Sequence, residues 1–204
     1  FGDLLDPGNA AVSANTCPAR PTALPGHGNF TCSFRALVEG ESGDPAHHDT
    51  VTAAAVDDEG NRGQGADDAT VAFGDSLPAI DVAKQAGAGA VPEPGAVVLF
   101  GVTVRNTSAE AVVLTALTDS VFGNLRDPGN PAVSANTCPA RPAGIPAGGA
   151  VSCSFEALAV GDAGGPNHVN RVAAAVVDDE GNTASGADDA TVVFKLSQPS
   201  APFL

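Results

Sequence analysis

The chain has 204 residues, with 24 Asp plus Glu against nine Lys plus Arg and a net charge of −15. So acidic a surface repels phosphate backbones and anionic headgroups, which argues against nucleic acid as a partner and makes cations a natural one; solubility alone is the plainer reason for the charge. No apolar run reaches the roughly 18–20 residues of a membrane helix, so no membrane insertion is expected in this segment.

The apolar residues are mostly Ala and Val, with nine Phe and no Trp, Tyr or Met, and they are broken up by 24 Gly and 16 Pro. Short strands joined by frequent turns suit this composition better than helices. The first stretch, "FGDLLDPGN", carries no basic region, apolar segment or cleavage motif. The expectation is that a signal peptide has been removed or that the chain is an excerpt of something longer.

"ANTCPARP" follows at residues 14–21 and returns at 135–142. The offset is constant: 138 − 17 = 121 for the first cysteine of each copy, and Cys32/Cys153, Asp57/Asp178 and Phe73/Phe194 share it. Residues 1–74 overlay 122–195 without a gap, and most positions are identical. A period this long is a whole domain rather than a solenoid turn. Residues 1–74 therefore read as the C-terminal part of a first repeat, 75–78 as a linker, 79–196 as a complete second repeat, and 197–204 as a linker or the start of a third. The section Pro78–Val121 has no counterpart ahead of Phe1. It belongs either to the rest of a longer tandem array or to another molecule that donates it.

Within the complete repeat the predicted strands run in order. They are "AIDVAKQ" (79–85), "VVLFGVTVRN" (97–106), "AVVLTALT" (111–118), "VSCSFEA" (151–157), "HVNRVAAAVV" (168–177) and "ATVVFKL" (190–196). Val98, Phe100, Val102 and Val104 alternate with Leu99, Gly101, Thr103 and Arg105, the period of a half-buried strand. Val151, Cys153, Phe155 and Ala157 share a face in the same way, and Phe30, Cys32 and Phe34 repeat that pattern in the first copy. The connections are rich in Gly, Pro, Asn and Asp. About seven short strands per repeat predict an all-β fold of tandem immunoglobulin-like sandwiches.

The ordered set "DVAKQ", "VPEPG", "VTVRNTS", "LTDSVFGNL", "TCP", "PAGGAVSCSF" and "VVDDEGNTASGADDATV" resembles a conserved repeat domain of long bacterial and archaeal surface proteins. That resemblance implies tandem immunoglobulin-like stalks. Members of the family favour Tyr and Thr in their strands, where this chain has Ala, Val and Phe.

Four cysteines allow three pairings. The repeat selects Cys17–Cys32 and Cys138–Cys153, because each domain must be able to close its own bridge. A loop of about 15 residues closed this way is worth roughly 3 kcal/mol in the loop-entropy model. Free thiols and a metal site are the alternatives. His47 and His168 match between copies, but each is read as lying in a turn with no CxxC nearby. Disulfides imply an oxidising compartment, extracellular or at the cell surface.

"DDEGNRGQGADD" (57–68) and "DDEGNTASGADD" (178–189) keep their acidic residues in both copies. Asp57, Asp58, Asn61, Asp67 and Asp68 are expected to crowd one end of a hairpin, as are Asp178, Asp179, Asn182, Asp188 and Asp189. Ca²⁺ takes six to eight oxygens from such loops, so it is a candidate cofactor, with Asp75 and Asp81 of the linker region approaching Asp178, Asp179 and Asn182. A solvated turn in which Asp and Asn supply only turn geometry is the competing reading.

No catalytic motif is present: there is no GxSxG, HExxH or phosphate-binding glycine loop. Lys84 on the first strand can be read as one end of an isopeptide bond to an Asn or Asp of another strand, or as an ordinary exposed lysine. Asn29 and Asn106 begin formal glycosylation triplets. The expectation is a structural segment of an extracellular stalk or filament, not an enzyme, whose partners are neighbouring copies of the same repeat. The alternative is an adhesin whose loops grip a host protein or glycan.

Overall fold

The computed structural model describes residues 1–19, 22–140 and 143–196. The expected beginning of a third repeat, 197–204, lies outside them. The chain divides into two units, Phe1–Asp75 and Ser76–Leu204. Among the described residues there is no helix, and hence none long and apolar enough to cross a membrane. The fold is all-β.

Two sheets build the second unit. One holds β3 (Ile80–Ala86), β5 (Gly95–Asn106) and β9 (Ala150–Val160) in that order, all antiparallel. The other runs β4 (Ala90–Pro92), β11 (Thr183–Lys195), β10 (His168–Val177), β6 (Val112–Asp119) and β7 (Gly123–Asn124), with β8 (Ala143–Ile145) also on β6. Strand alternation decides which side chains meet between the sheets. From β5 come Val98, Phe100, Val102 and Val104, and from β9 Phe155, Ala157 and Ala159. The facing sheet supplies Val112, Leu114, Leu117, Val172, Ala174, Val176, Ala190, Val192 and Phe194. The strands read as half-buried in the sequence are half-buried here, and "HVNRVAAAVV" coincides with β10.

Three aromatic rings anchor this core. Phe100 and Phe155, directly opposite on β5 and β9, lie 5.4 Å apart, and Phe122 sits 5.8 and 5.9 Å from them. The neighbours are mainly Val and Ala, which bury little area each, so the three rings carry a large share of the apolar burial. Phe194 needs a glycine opposite: a Cβ on Gly161 would stand 2.2 Å from its ring. Phe73 and Gly40 repeat this pair in the first unit, where the distance would be 2.4 Å.

The repeated "ANTCP" is a stitch between a loop and a strand. Asn136 donates to the Leu125 carbonyl at 2.8 Å and accepts from the Cys138 N–H at 3.0 Å. Thr137 Oγ1 accepts from Ser154 N–H on β9 at 2.8 Å. Asn15, Cys17, Thr16 and Ser33 repeat every one of these bonds in the first unit. Ala14 and Ala135 both take a left-handed backbone at φ 45° and 46°. This local hydrogen bonding explains why the motif recurs letter for letter.

The first unit departs from expectation. It has one hairpin, β1 (His47–Val56) and β2 (Arg62–Val71), paired from His47↔Val71 to Val56↔Arg62. Phe30–Phe34 is not a strand; it is held by the Thr16–Ser33 hydrogen bonds and by the isolated bridge next to it, Ser13↔Arg35. The equivalent β9 is laddered along β5, and residues equivalent to β5 have no counterpart in residues 1–75. Without that ladder the backbone polar groups of Phe30–Phe34 have no strand to pair with. The hairpin lacks its facing sheet for the same reason. Val51 is 50% exposed where its counterpart Val172 is 0%, and Val71 is 48% exposed where Val192 is 0%.

Truncating Phe155 to Ala should cost the second unit about 3–5 kcal/mol, whereas Leu158→Ala on the outer face of β9 should stay within about 0.5 kcal/mol of the parent. Denaturant unfolding of the two variants checks both values.

Candidate functional site

Both disulfides close as the repeat predicts. Cys17 joins Cys32, Cys138 joins Cys153, each across 15 residues, and no cysteine is free. Two such bridges indicate an oxidising, non-cytoplasmic environment. His47 and His168 are not in turns; each opens a strand, β1 and β10. Their Nε2 atoms are buried without a hydrogen-bond partner.

The acidic segments are split rather than gathered. Asp57 and Asn61 close the first hairpin turn: Asn61 N–H and Nδ2 donate to the Asp57 carboxylate at 2.7 and 2.9 Å. Those bonds, the side-chain one foremost, hold the Asp57 carboxyl below the usual carboxylate range. Asp178 and Asn182 N–H repeat the closure at 2.7 Å. Asp67 and Asp68, however, lie along β2 opposite Val51 and Thr50, and Asp188 and Asp189 lie along β11 opposite Val172 and Arg171. The sequence reading extended the turn too far; β11 already begins at Thr183. Asp188 lies six residues beyond Asn182 along the strand, about 20 Å, so no single ion reaches both groups.

Asp188 and Asp189 also have other partners. Asp188 Oδ2 accepts the Lys84 backbone N–H at 2.7 Å, which is the main reason its carboxyl titrates below the usual range. Asp189 faces Arg171 at 3.4 Å, an exposed pair worth little. The carboxylates of Asp57, Asp58 and Glu59 remain, with oxygens within 4.8 Å of one another on an exposed turn. Three exposed side chains are a thin set for Ca²⁺. Asn106, one of the two glycosylation triplets, is fully buried: its Nδ2 donates to the carbonyls of Glu110, Ile145 and Pro146 at 2.6–3.2 Å. That amide has no room for a sugar. Asn29 is exposed.

The most unusual chemistry lies in the core of the second unit. Lys84 is 4% exposed and its side chain is sealed from water, contrary to the reading of an exposed strand lysine. Its Nζ contacts Asp119 Oδ2 and donates to the Asn170 backbone carbonyl at 3.2 Å. Phe100 and Phe155 flank it at 5.0 and 5.7 Å. Asn170 Nδ2 donates to the same Asp119 oxygen at 2.9 Å, and Asn170 Oδ1 has no partner. The other Asp119 oxygen receives the N–H groups of Val121 and Phe122 at 2.9 and 3.1 Å, which fix the carboxylate. Burial is the dominant influence on Lys84 and pushes its ammonium below the ordinary lysine range, against the pull of Asp119.

Asp119 and Asn170 were not singled out in the sequence, yet two signals were there. Ile80, Val82, Lys84 and Ala86 share one face of β3, and His168, Asn170, Val172, Ala174 and Val176 share one face of β10. Lysine and asparagine at core positions of period-two strands mark a buried polar group.

Titrating Ca²⁺ should give no better than millimolar affinity at the Asp57–Glu59 turn, read as a small rise in melting temperature that a chelator reverses; an unchanged melt would remove calcium altogether. Acid has a second signature. Burial pushes the His168 imidazole below its ordinary value of 6.5, Asp119 opposes and Lys84 reinforces the shift. The unfolded state therefore takes the proton first, and the stability held above pH 6.5 is lost as pH falls through the depressed value. Asp188, also depressed, adds a loss at lower pH of the same sign. A pH series of melts on the second unit should show both stages, and His168→Gln should flatten the upper one.

Compared with known protein families and with curated proteins, the chain matches none.

Proposed function

We propose that the chain is a segment of an extracellular stalk or filament built from tandem immunoglobulin-like modules, with a mechanical and spacing role. The observation that carries this reading is the 121-residue repeat itself, which preserves core pairs, the stitched "ANTCP" loop and the disulfide register in both units. A repeated module with its own bridge resists unfolding and reduction outside the cell. The resemblance to repeats of long bacterial and archaeal surface proteins points the same way. In this reading the partners are neighbouring copies of the repeat, no enzymatic step is involved, and calcium enters only as a stiffener of the acidic turns.

The competing reading, an adhesin, needs anchors on its loops, and binding hot spots are rich in Trp, Tyr and Arg. The sequence has neither Trp nor Tyr, and Phe30 is the one exposed aromatic among the described residues. Electron micrographs of the native material should show fibres or stalks with a regular domain spacing. Discrete particles that bind a specific host protein or glycan would replace this proposal with the adhesin.

A further inference from the structure

We infer that the second unit closes a covalent amide between the Lys84 side chain on β3 and the Asn170 side chain on β10, with Asp119 carrying the protons. The three side chains come from three strands, are all buried, and meet at one carboxylate oxygen: Asp119 Oδ2 contacts Lys84 Nζ and accepts from Asn170 Nδ2. Nucleophile and leaving group therefore share a single proton carrier. Bringing them together in fixed geometry replaces the entropy cost of a bimolecular encounter.

The surroundings favour the neutral product. A buried ion pair carries a desolvation penalty of several kcal/mol per ion, and water cannot reach this one. Burial destabilises the ammonium, which supplies the free amine a nucleophilic lysine requires. Asn170 Oδ1 is buried with no hydrogen bond, a costly state for an amide placed only to fill space. The aromatic faces of Phe100 and Phe155 keep the site dry.

The step balances without a cofactor. Asp119 takes one proton from the Lys84 ammonium. The freed Nζ lone pair attacks Asn170 Cγ, the Nζ–Cγ bond forms, and the carbonyl electron pair moves onto Oδ1. Asp119 relays a second Nζ proton to Nδ2; the pair on Oδ1 restores the carbonyl as the Cγ–Nδ2 bond breaks. Ammonia departs and takes up the first proton as ammonium, which returns Asp119 to its carboxylate. Nothing is oxidised or reduced. Asp119 itself is the poorer electrophile, since among the described residues no second carboxylic acid hydrogen-bonds to it to protonate a leaving oxygen. At the repeat offset Asn170 corresponds to Asp49, because 170 − 121 = 49, so this chain carries one such Lys–Asn set.

The bond would join the β3–β5–β9 sheet to the sheet containing β10. Its test is the intact mass of the full chain after reduction and denaturation. The expected result is the sequence mass less one ammonia, with a branched Lys84–Asn170 peptide on digestion. Lys84→Met should restore the full mass, and so should Asp119→Ala with a cooperative melt retained for the second unit. Full mass for the folded parent chain overturns the proposal, whatever the variants do. Loss of one water overturns the Asn170 assignment in favour of Asp119. An Asp119→Ala chain that folds and still loses ammonia overturns the proton-carrying role. None of these outcomes depends on whether the native material is a filament or an adhesin.

Discussion

Closing two sheets over Phe100, Phe122 and Phe155 removes water from everything between them, and that exclusion sets the properties of the second unit. It turns an amphipathic period of two into a core. It also traps a lysine, a carboxylate and an amide that face the same way as the valines. In water such a trio is unremarkable. Between the sheets each member depends on the others, because attraction and desolvation are both large in a low-dielectric interior. Removing one partner leaves a charge or dipole stranded, so β3, β6 and β10 are linked through the cluster as well as through their apolar contacts.

Much of this architecture was legible in the sequence because its signals are local. Alternation along β5 and β9 placed their core faces, and the repeat offset placed the disulfides. The exceptions have specific causes. Asp119 was hidden by a β-bulge: β10 pairs Val176 with Leu114 but Ala175 with Ala116, so Thr115 is an extra residue. The buried face of β6 shifts from Val112 and Leu114 to Leu117 and Asp119. Unbroken alternation would have pointed Asp119 at solvent. The acidic segments misled for another reason. Gly and Asp suggest turns, yet "TASGADD" is held in β11 by the ladder from β10, which no local propensity reports.

Residues 1–75, which hold no segment equivalent to β3–β6, isolate that dependence. The first unit shares most of its letters, an equivalent disulfide and the same stitched loop with residues 122–195 of the second. It nevertheless lacks a strand at Phe30–Phe34 and exposes the valines its twin buries. Side-chain pattern is thus insufficient for a sheet here; the ladder partner has to be supplied. Short-range hydrogen bonds survive without it, as the Asn15 and Thr16 contacts show, while the long-range layering does not.

The bridge from Cys138 to Cys153 has a further consequence for a module under tension. It connects the stitched loop to β9, so a force applied at the ends of the module passes across sulfur rather than along the intervening peptide. Extended at about 3.3–3.6 Å per residue, those 15 residues would lengthen the chain by about 50 Å. While the sulfurs stay joined that length is withheld, and each module can yield only the slack outside its own loop.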